Sequence, residues 1–194
     1  MLAPAAESGS CRLTAAGGDV WSYRQRMDLL PQDQADDCAL RLPELFPSDF
    51  VAWFEQGRVM QAQGLLEEAA SAYEGAIRLN PDFVHAMNNL GGVRKQLGKF
   101  AAAREILQLG IAKDHSFAGL EYNLGMVHAM QNDATGSVPH LEAAIKKAKH
   151  PEPPPRWHDD LAAVLHAAGR LAEALQSVDN ALALEPTNAC VLAS

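Results

Sequence analysis

The segment NPDFVHAMNNLGGV runs from Asn80 to Val93. Its second half has the length and spacing of a helix, yet it carries Asn88, Asn89, Gly91 and Gly92 around a single leucine, Leu90. Each glycine costs a helix interior about 1 kcal/mol relative to alanine, and asparagine is a weak helix former too. Four such residues together imply a demand from outside the helix itself.

That demand is a repeat. Taking Phe50 as the first place of a 34-residue frame, successive units run 50–83, 84–117 and 118–151, an insertion fills 152–154, and a fourth unit runs 155–188. The eighth place holds Gly57, Gly91, Gly125 and Ala162. The fifteenth holds Gly64, Gly98, Asn132 and Gly169, and the twentieth Ala69, Ala103, Ser137 and Ala174. The twenty-fourth holds Tyr73, Leu107, Leu141 and Val178, and the twenty-seventh Ala76, Gly110, Ala144 and Ala181. Each unit reads as two helices, Val84–Leu97 and Phe100–Lys113 in the second. The turn between them carries Gly or Asn, residues suited to left-handed backbone at a helix C-terminus. Small residues at the eighth, twentieth and twenty-seventh places let the two helices approach; large residues at the seventh and twenty-fourth fill the space between units. Pro81 and Pro186 stop second helices. Gly91 is then a packing notch. Gly92 has no place in the frame, and room for a ligand backbone is one reason for it.

These spacings resemble the tetratricopeptide repeat, whose period is about 34 residues. The first unit carries the likeness in AWFEQGRVMQAQGLLEEAASAYEGAIRLNP, with Trp53, Gly57, Gly64, Ala69, Tyr73, Ala76 and Pro81 at the family's preferred places. The resemblance implies an all-α fold, a right-handed superhelical solenoid of antiparallel helix pairs. Two departures stand out: Ala162 replaces glycine at the fourth notch, and Pro139 is expected to distort or restart the second helix of the third unit.

Outside the four units, 1–17 reads as a mobile tail and 18–49 as a degenerate helical unit whose frame is spoiled by Pro31 and Pro43. ACVLAS, within 189–194, reads as the opening of a further first helix, cut short. No polar cap covers that end, so the expectation is either a longer parent protein or a face that meets a partner. Pro151 and Pro153–Pro155 favour a stiff polyproline II joint.

Composition narrows the function. Hydrophobic residues make up 48% of the 194, aromatics only 6%, and the net charge is −8; an acidic chain of this kind is poorly suited to nucleic acid or anionic membranes. No apolar run approaches the ~20 residues that span a bilayer. Cys11, Cys38 and Cys190 form no close pair, which argues against a disulfide framework and for a reducing, cytoplasmic setting. Seven histidines form neither HExxH nor a zinc pattern, and no phosphate loop or nucleophile elbow is present. No catalytic residue, metal site or cofactor is expected.

The resemblance places first helices on the inner wall of the solenoid. Phe54, Arg58, His85, Asn88, Asn89, Lys95, Tyr122, Asn123, Met126 and Arg156 are the expected peptide-binding residues. Asn89 and Asn123 occupy one place in adjacent units, and an amide there can both donate to and accept from a peptide backbone. This pair is weakly similar to the asparagine ladders of O-GlcNAc-transferase-like repeat domains; the competing reading is that both amides only bridge helices. The expected function is a non-enzymatic interaction module, a scaffold or adaptor that binds an extended peptide or partner helix. Alternatives are the substrate-recruiting repeat domain of a larger glycosyltransferase or sulfotransferase, a scaffold that self-assembles into homo-oligomers through its uncapped C-terminal face, and a secretion chaperone.

Overall fold

The computed structural model describes residues 24–25, 28–148 and 153–184. The described residues contain ten helices of assigned range: α1 (Gln32–Leu40), α2 (Leu42–Leu45), α3 (Phe50–Ala62), α4 (Leu66–Leu79), α5 (Val84–Gln96), α6 (Phe100–Lys113), α7 (Ala118–Met130), α8 (Ala134–Lys147), α9 (Pro155–Ala167) and α10 (Leu171–Leu184). No strand occurs among the described residues, so the all-α expectation holds. The chain divides into two compact units, 1–93 and 94–194. The expected tail (1–17) and terminal helix opening (189–194) lie outside the described residues.

The turns follow the sequence closely. All four residues at the fifteenth place have left-handed backbone, with φ of 78° at Gly64, 71° at Gly98, 59° at Asn132 and 76° at Gly169. Glycine adopts this region freely and asparagine does so more readily than other side chains.

In the first unit, α3 and α4 close on one another through two glycine–aromatic contacts. A Cβ on Gly57 would lie 2.7 Å from the Tyr73 ring, and one on Gly75 would lie 2.6 Å from the Trp53 indole. The second notch was not singled out by the frame. Upstream, α1 and α2 bury Cys38, Ala39 and Leu42 against Val51 and Ala52 of α3. Gln56 donates to the Leu40 carbonyl at 2.7 Å, tying α3 to the end of α1. Pro31 and Pro43 both stand at helix starts. Pro31 is the N-cap of α1 and Pro43 lies in the first turn of α2, where a missing N–H costs nothing.

Two expectations need correction. Cys38 is disulfide-bonded, against the expectation drawn from the wide cysteine spacing. Pro139 lies inside α8, which runs unbroken from Ala134 to Lys147. Only one intrahelical bond is lost to the ring, and the helix start is secured by Asp133, whose side chain accepts from Gly136 N.

In the second unit the notch recurs. A Cβ on Gly125 of α7 would meet Leu141 of α8 at 2.9 Å, and one on Gly110 of α6 would meet Leu120 of α7 at 2.8 Å. The buried Ser137 hydroxyl donates to the Gly125 carbonyl at 2.8 Å, so the small residue at the twentieth place also pairs the helices. Tyr122, Leu141, Ala144, Trp157, Leu161 and Leu165 belong to the core of this unit. Pro154 has φ −54° and ψ 136°, polyproline II backbone, and leads into α9.

Candidate functional site

Polar side chains of three first helices converge in the second unit. At the end of α5, Lys95 Nζ donates to Asn123 Oδ1 of α7 at 3.0 Å and stands 5.8 Å from the centroid of the Tyr122 ring. From α9, the Arg156 guanidinium stands 5.7 Å from the same centroid. The Tyr122 hydroxyl donates to Asp160 Oδ2 at 2.5 Å. Beneath, Trp157 stacks on Tyr122 with centroids 4.6 Å apart and planes 9° from parallel. Thus Lys95, Tyr122, Asn123 and Arg156, expected from the frame, come together. Trp157 was missed, although it adjoins Arg156 on the same first helix.

The ring is a support rather than an open platform, because Tyr122 is buried in the core cluster of its unit. Burial pushes its phenol above the ordinary value, and the Asp160 hydrogen bond and charge push it the same way while Arg156 opposes. Lys95 shows the reverse. Burial holds its ammonium below the ordinary value, Asp160 pulls it up, and Arg156 pushes it down. Among the described residues neither Lys95 nor Arg156 has a carboxylate within ion-pair distance, although the Asp160 charge acts on Lys95. Their surroundings are a ring face, an amide oxygen and a carboxylate already engaged by a phenol.

Met126 packs partly buried against this core. With Met130, Ala163 and Ala167 it lines an apolar groove of about 530 Å³ between α7 and α9, and Asp160 lines it too. Met130 is half exposed.

Elsewhere in the second unit, Glu121 is buried and bridged by Lys147 Nζ at 2.6 Å and His140 Nδ1 at 2.8 Å. Burial raises its pKa, but these two hydrogen bonds outweigh that and hold the carboxyl below its usual value. His128 bonds Asp133 at 2.8 Å, and the His128 and His140 rings stack at 5.6 Å. Among the described residues no three His, Cys, Asp or Glu side chains are grouped to hold a metal ion.

The remaining expected residues belong to the first unit. Phe54 packs on Phe83 at 4.9 Å and on Tyr73 at 5.7 Å, and Phe83 lies 5.7 Å from the His85 ring. Arg58 pairs with the buried Glu55 at 2.7 Å, and Arg24 pairs with its other oxygen at 2.9 Å. Asn89 Nδ2 donates to the Tyr73 hydroxyl at 3.3 Å, and its Oδ1 accepts from Asn88 at 3.3 Å. Tyr73 in turn donates to Gln61 at 2.8 Å, and burial lifts its pKa to about 12. The Asn89 amide therefore bridges α5 to α4.

A family model described as tetratricopeptide repeat matches residues 54–116 and 122–189. Human tetratricopeptide repeat protein 7B is 28% identical over 122 residues, 62% of this chain and 14% of that protein. The crystal structure of MamA superposes with a TM-score of 0.70 at 20% identity, covering 89% of this chain and 98% of that one. The structure of YrrB, described as a TPR protein with an unusual peptide-binding site, superposes with a TM-score of 0.64 at 19% identity, covering 90% of each chain. At these identities the structural likeness shows the fold alone. The chain spans about a seventh of the length of the first curated relative, 14%. Among the described residues no helix is long and apolar enough to cross a membrane.

Proposed function

Because the chain belongs to the tetratricopeptide repeat family, whose fold supports a protein–protein interaction module, we propose that it holds an extended, acidic segment of a partner protein at Lys95 and Arg156. Lys95 carries this reading. An ammonium drawn out of water gains most from a hydrogen-bonded carboxylate, yet among the described residues Lys95 donates to an amide oxygen. Arg156, 5.7 Å from the centroid of the same Tyr122 ring, adds a second cation. On a chain of net charge −8, two cations with no ion pair among the described residues give an acidic segment its register and exclude it elsewhere. Asn123 positions the ammonium in this reading, and Tyr122, packed on Trp157, is the ring beside which both cations stand. The peptide-binding site named for YrrB is in keeping with this use of the fold.

The test is selection of random displayed peptides on the intact chain. Enrichment of Asp and Glu is expected, with binding that weakens as salt rises and is lost in a Lys95→Ala/Arg156→Ala variant of unchanged circular dichroism. Enrichment of neutral or basic peptides refutes the reading.

A further inference from the structure

The third repeat departs from the others at two places of the frame. The eleventh holds Met60, Arg94, His128 and Leu165, and the twenty-third holds Ala72, Ile106, His140 and Ser177. Histidine stands at both places in the third repeat alone. The His128 ring on α7 and the His140 ring on α8 come together with centroids 5.6 Å apart and planes 20° from parallel. A carboxylate holds each ring at Nδ1, Asp133 for His128 and Glu121 for His140, both at 2.8 Å. Hydrogen bonds from Gly136 N and His128 keep the Asp133 carboxyl below its usual value. Burial pushes Glu121 up, and the bonds from Lys147 and His140 overcome it. An ionised carboxylate only accepts. Each Nδ1 therefore carries the hydrogen, and a neutral ring keeps its lone pair on Nε2. Among the described residues neither Nε2 has a hydrogen-bond partner, and neither is buried. Gly136 makes room for this arrangement. It lies inside α8 at the nineteenth place, where the other repeats carry Glu68, Ala102 and Glu173. A Cβ there would collide with the Asp133 carboxylate and lie 2.7 Å from His128 Nδ1.

We propose that His128 and His140 chelate a divalent first-row metal ion of the zinc kind through their two Nε2 atoms, with Asp133 and Glu121 as the carboxylates behind the ligands. Imidazole suits Zn²⁺, Cu²⁺ and Ni²⁺, whereas Mg²⁺ and Ca²⁺ take oxygen donors. Two imidazoles bound to one ion at about 2.0–2.1 Å have ring centres roughly 5–6 Å apart, and this pair already stands at 5.6 Å. A metal-bound histidine gives its other N–H to a carboxylate or carbonyl, which fixes the tautomer and raises the basicity of the ligand nitrogen; both rings are held in this way. The chain supplies two ligands, and the remaining coordination positions stay open to water. One ligand comes from α7 and the other from α8, so the ion cross-links the helix pair of the third repeat and stabilises the folded chain by mass action. The chelate uses neither Lys95 nor Arg156 and is independent of the acidic-segment reading.

Titration calorimetry of the intact, untagged chain with zinc chloride tests this, with magnesium chloride as the control. One Zn²⁺ per chain should bind and raise the melting midpoint, while Mg²⁺ does neither. On adding Zn²⁺, the ring signals of His128 and His140 should move together in proton–nitrogen NMR spectra, ahead of those of the other five histidines. His128→Gln and His140→Gln should each abolish saturable binding. Asp133→Asn keeps an oxygen to cap α8 but removes the charge behind His128, and should weaken Zn²⁺ binding by about 10–100-fold. Gly136→Ala should weaken it too, by displacing the same carboxylate. Metal-free melting curves check that each variant folds. No saturable Zn²⁺ binding overturns the proposal. So does binding that survives either histidine change or is unaffected by Asp133→Asn, and so does a response centred on other histidines.

Discussion

Replacing Gly57 with alanine tests the helix-pair packing at a notch that the repeat frame itself predicts. The new methyl carbon would lie 2.7 Å from Tyr73 Cε1 and 2.8 Å from Cδ1, where carbon atoms in contact rest at about 3.5–4.0 Å. The ring has nowhere to retreat. Tyr73 is fully buried, its hydroxyl is held by Gln61 and Asn89, and its face packs on Phe54. Two effects oppose one another. Alanine is favoured over glycine inside a helix by about 1 kcal/mol, while overpacking a rigid core costs about 1–3 kcal/mol. The overlap falls on ring carbons rather than on a flexible tip, so the upper part of that range applies and the net loss is about 1–2 kcal/mol. Urea unfolding followed by circular dichroism measures it. A double-mutant cycle with Tyr73→Leu isolates the contact: most of the Gly57→Ala penalty should vanish once the ring is gone. Equal stability of Gly57→Ala and the parent chain, or an undiminished penalty beside Leu at position 73, refutes the packing argument.

At the turn, Gly98→Ala should lose about 1–2 kcal/mol, because φ there is 71° and an ordinary side chain resists left-handed backbone. Gly98→Asn should lose less than half as much, following Asn132 at the same place of the next unit; equal losses contradict the turn reading. Gly91→Leu in α5 should destabilise by about 1–3 kcal/mol if the eighth place is a notch in this unit too, with Gly92→Ala neutral or slightly stabilising; an unchanged melting midpoint for Gly91→Leu disproves the register. His158 is buried, its Nδ1 has no hydrogen-bond partner, and burial lowers its pKa while Asp159 opposes. The unfolded chain takes up this proton near pH 6.5 and the folded chain only at lower pH. The contribution is therefore complete above about pH 6.5 and is lost as pH falls through the folded value. His158→Gln should flatten the fall in melting temperature between neutral and mildly acid pH, and a slope identical to that of the parent chain removes His158 from the account.

Features that backbone sterics or side-chain volume impose at a fixed period are legible in the amino-acid order alone. Gly64, Gly98, Asn132 and Gly169 were recognisable as turn residues because few residues tolerate positive φ. Gly57 and Gly125 were recognisable as notches because repetition aligned them, and Gly75, outside the aligned places, escaped notice although its contact is tighter. Tertiary structure decided what the polar side chains do. Asn89 and Asn123 share a place in the frame, yet one bridges to Tyr73 and the other receives Lys95, since an amide's partner depends on which neighbour lies within reach. Tyr122 looked like an open aromatic on the inner wall. It is stacked on Trp157 and bonded to Asp160, 38 residues away. The Cys38 disulfide was equally illegible, because spacing along a chain says nothing of which sulfurs a fold brings within bonding distance. A repeat pattern records the contacts every unit must make; those that one unit makes alone follow from distances between side chains, and only the folded chain sets them.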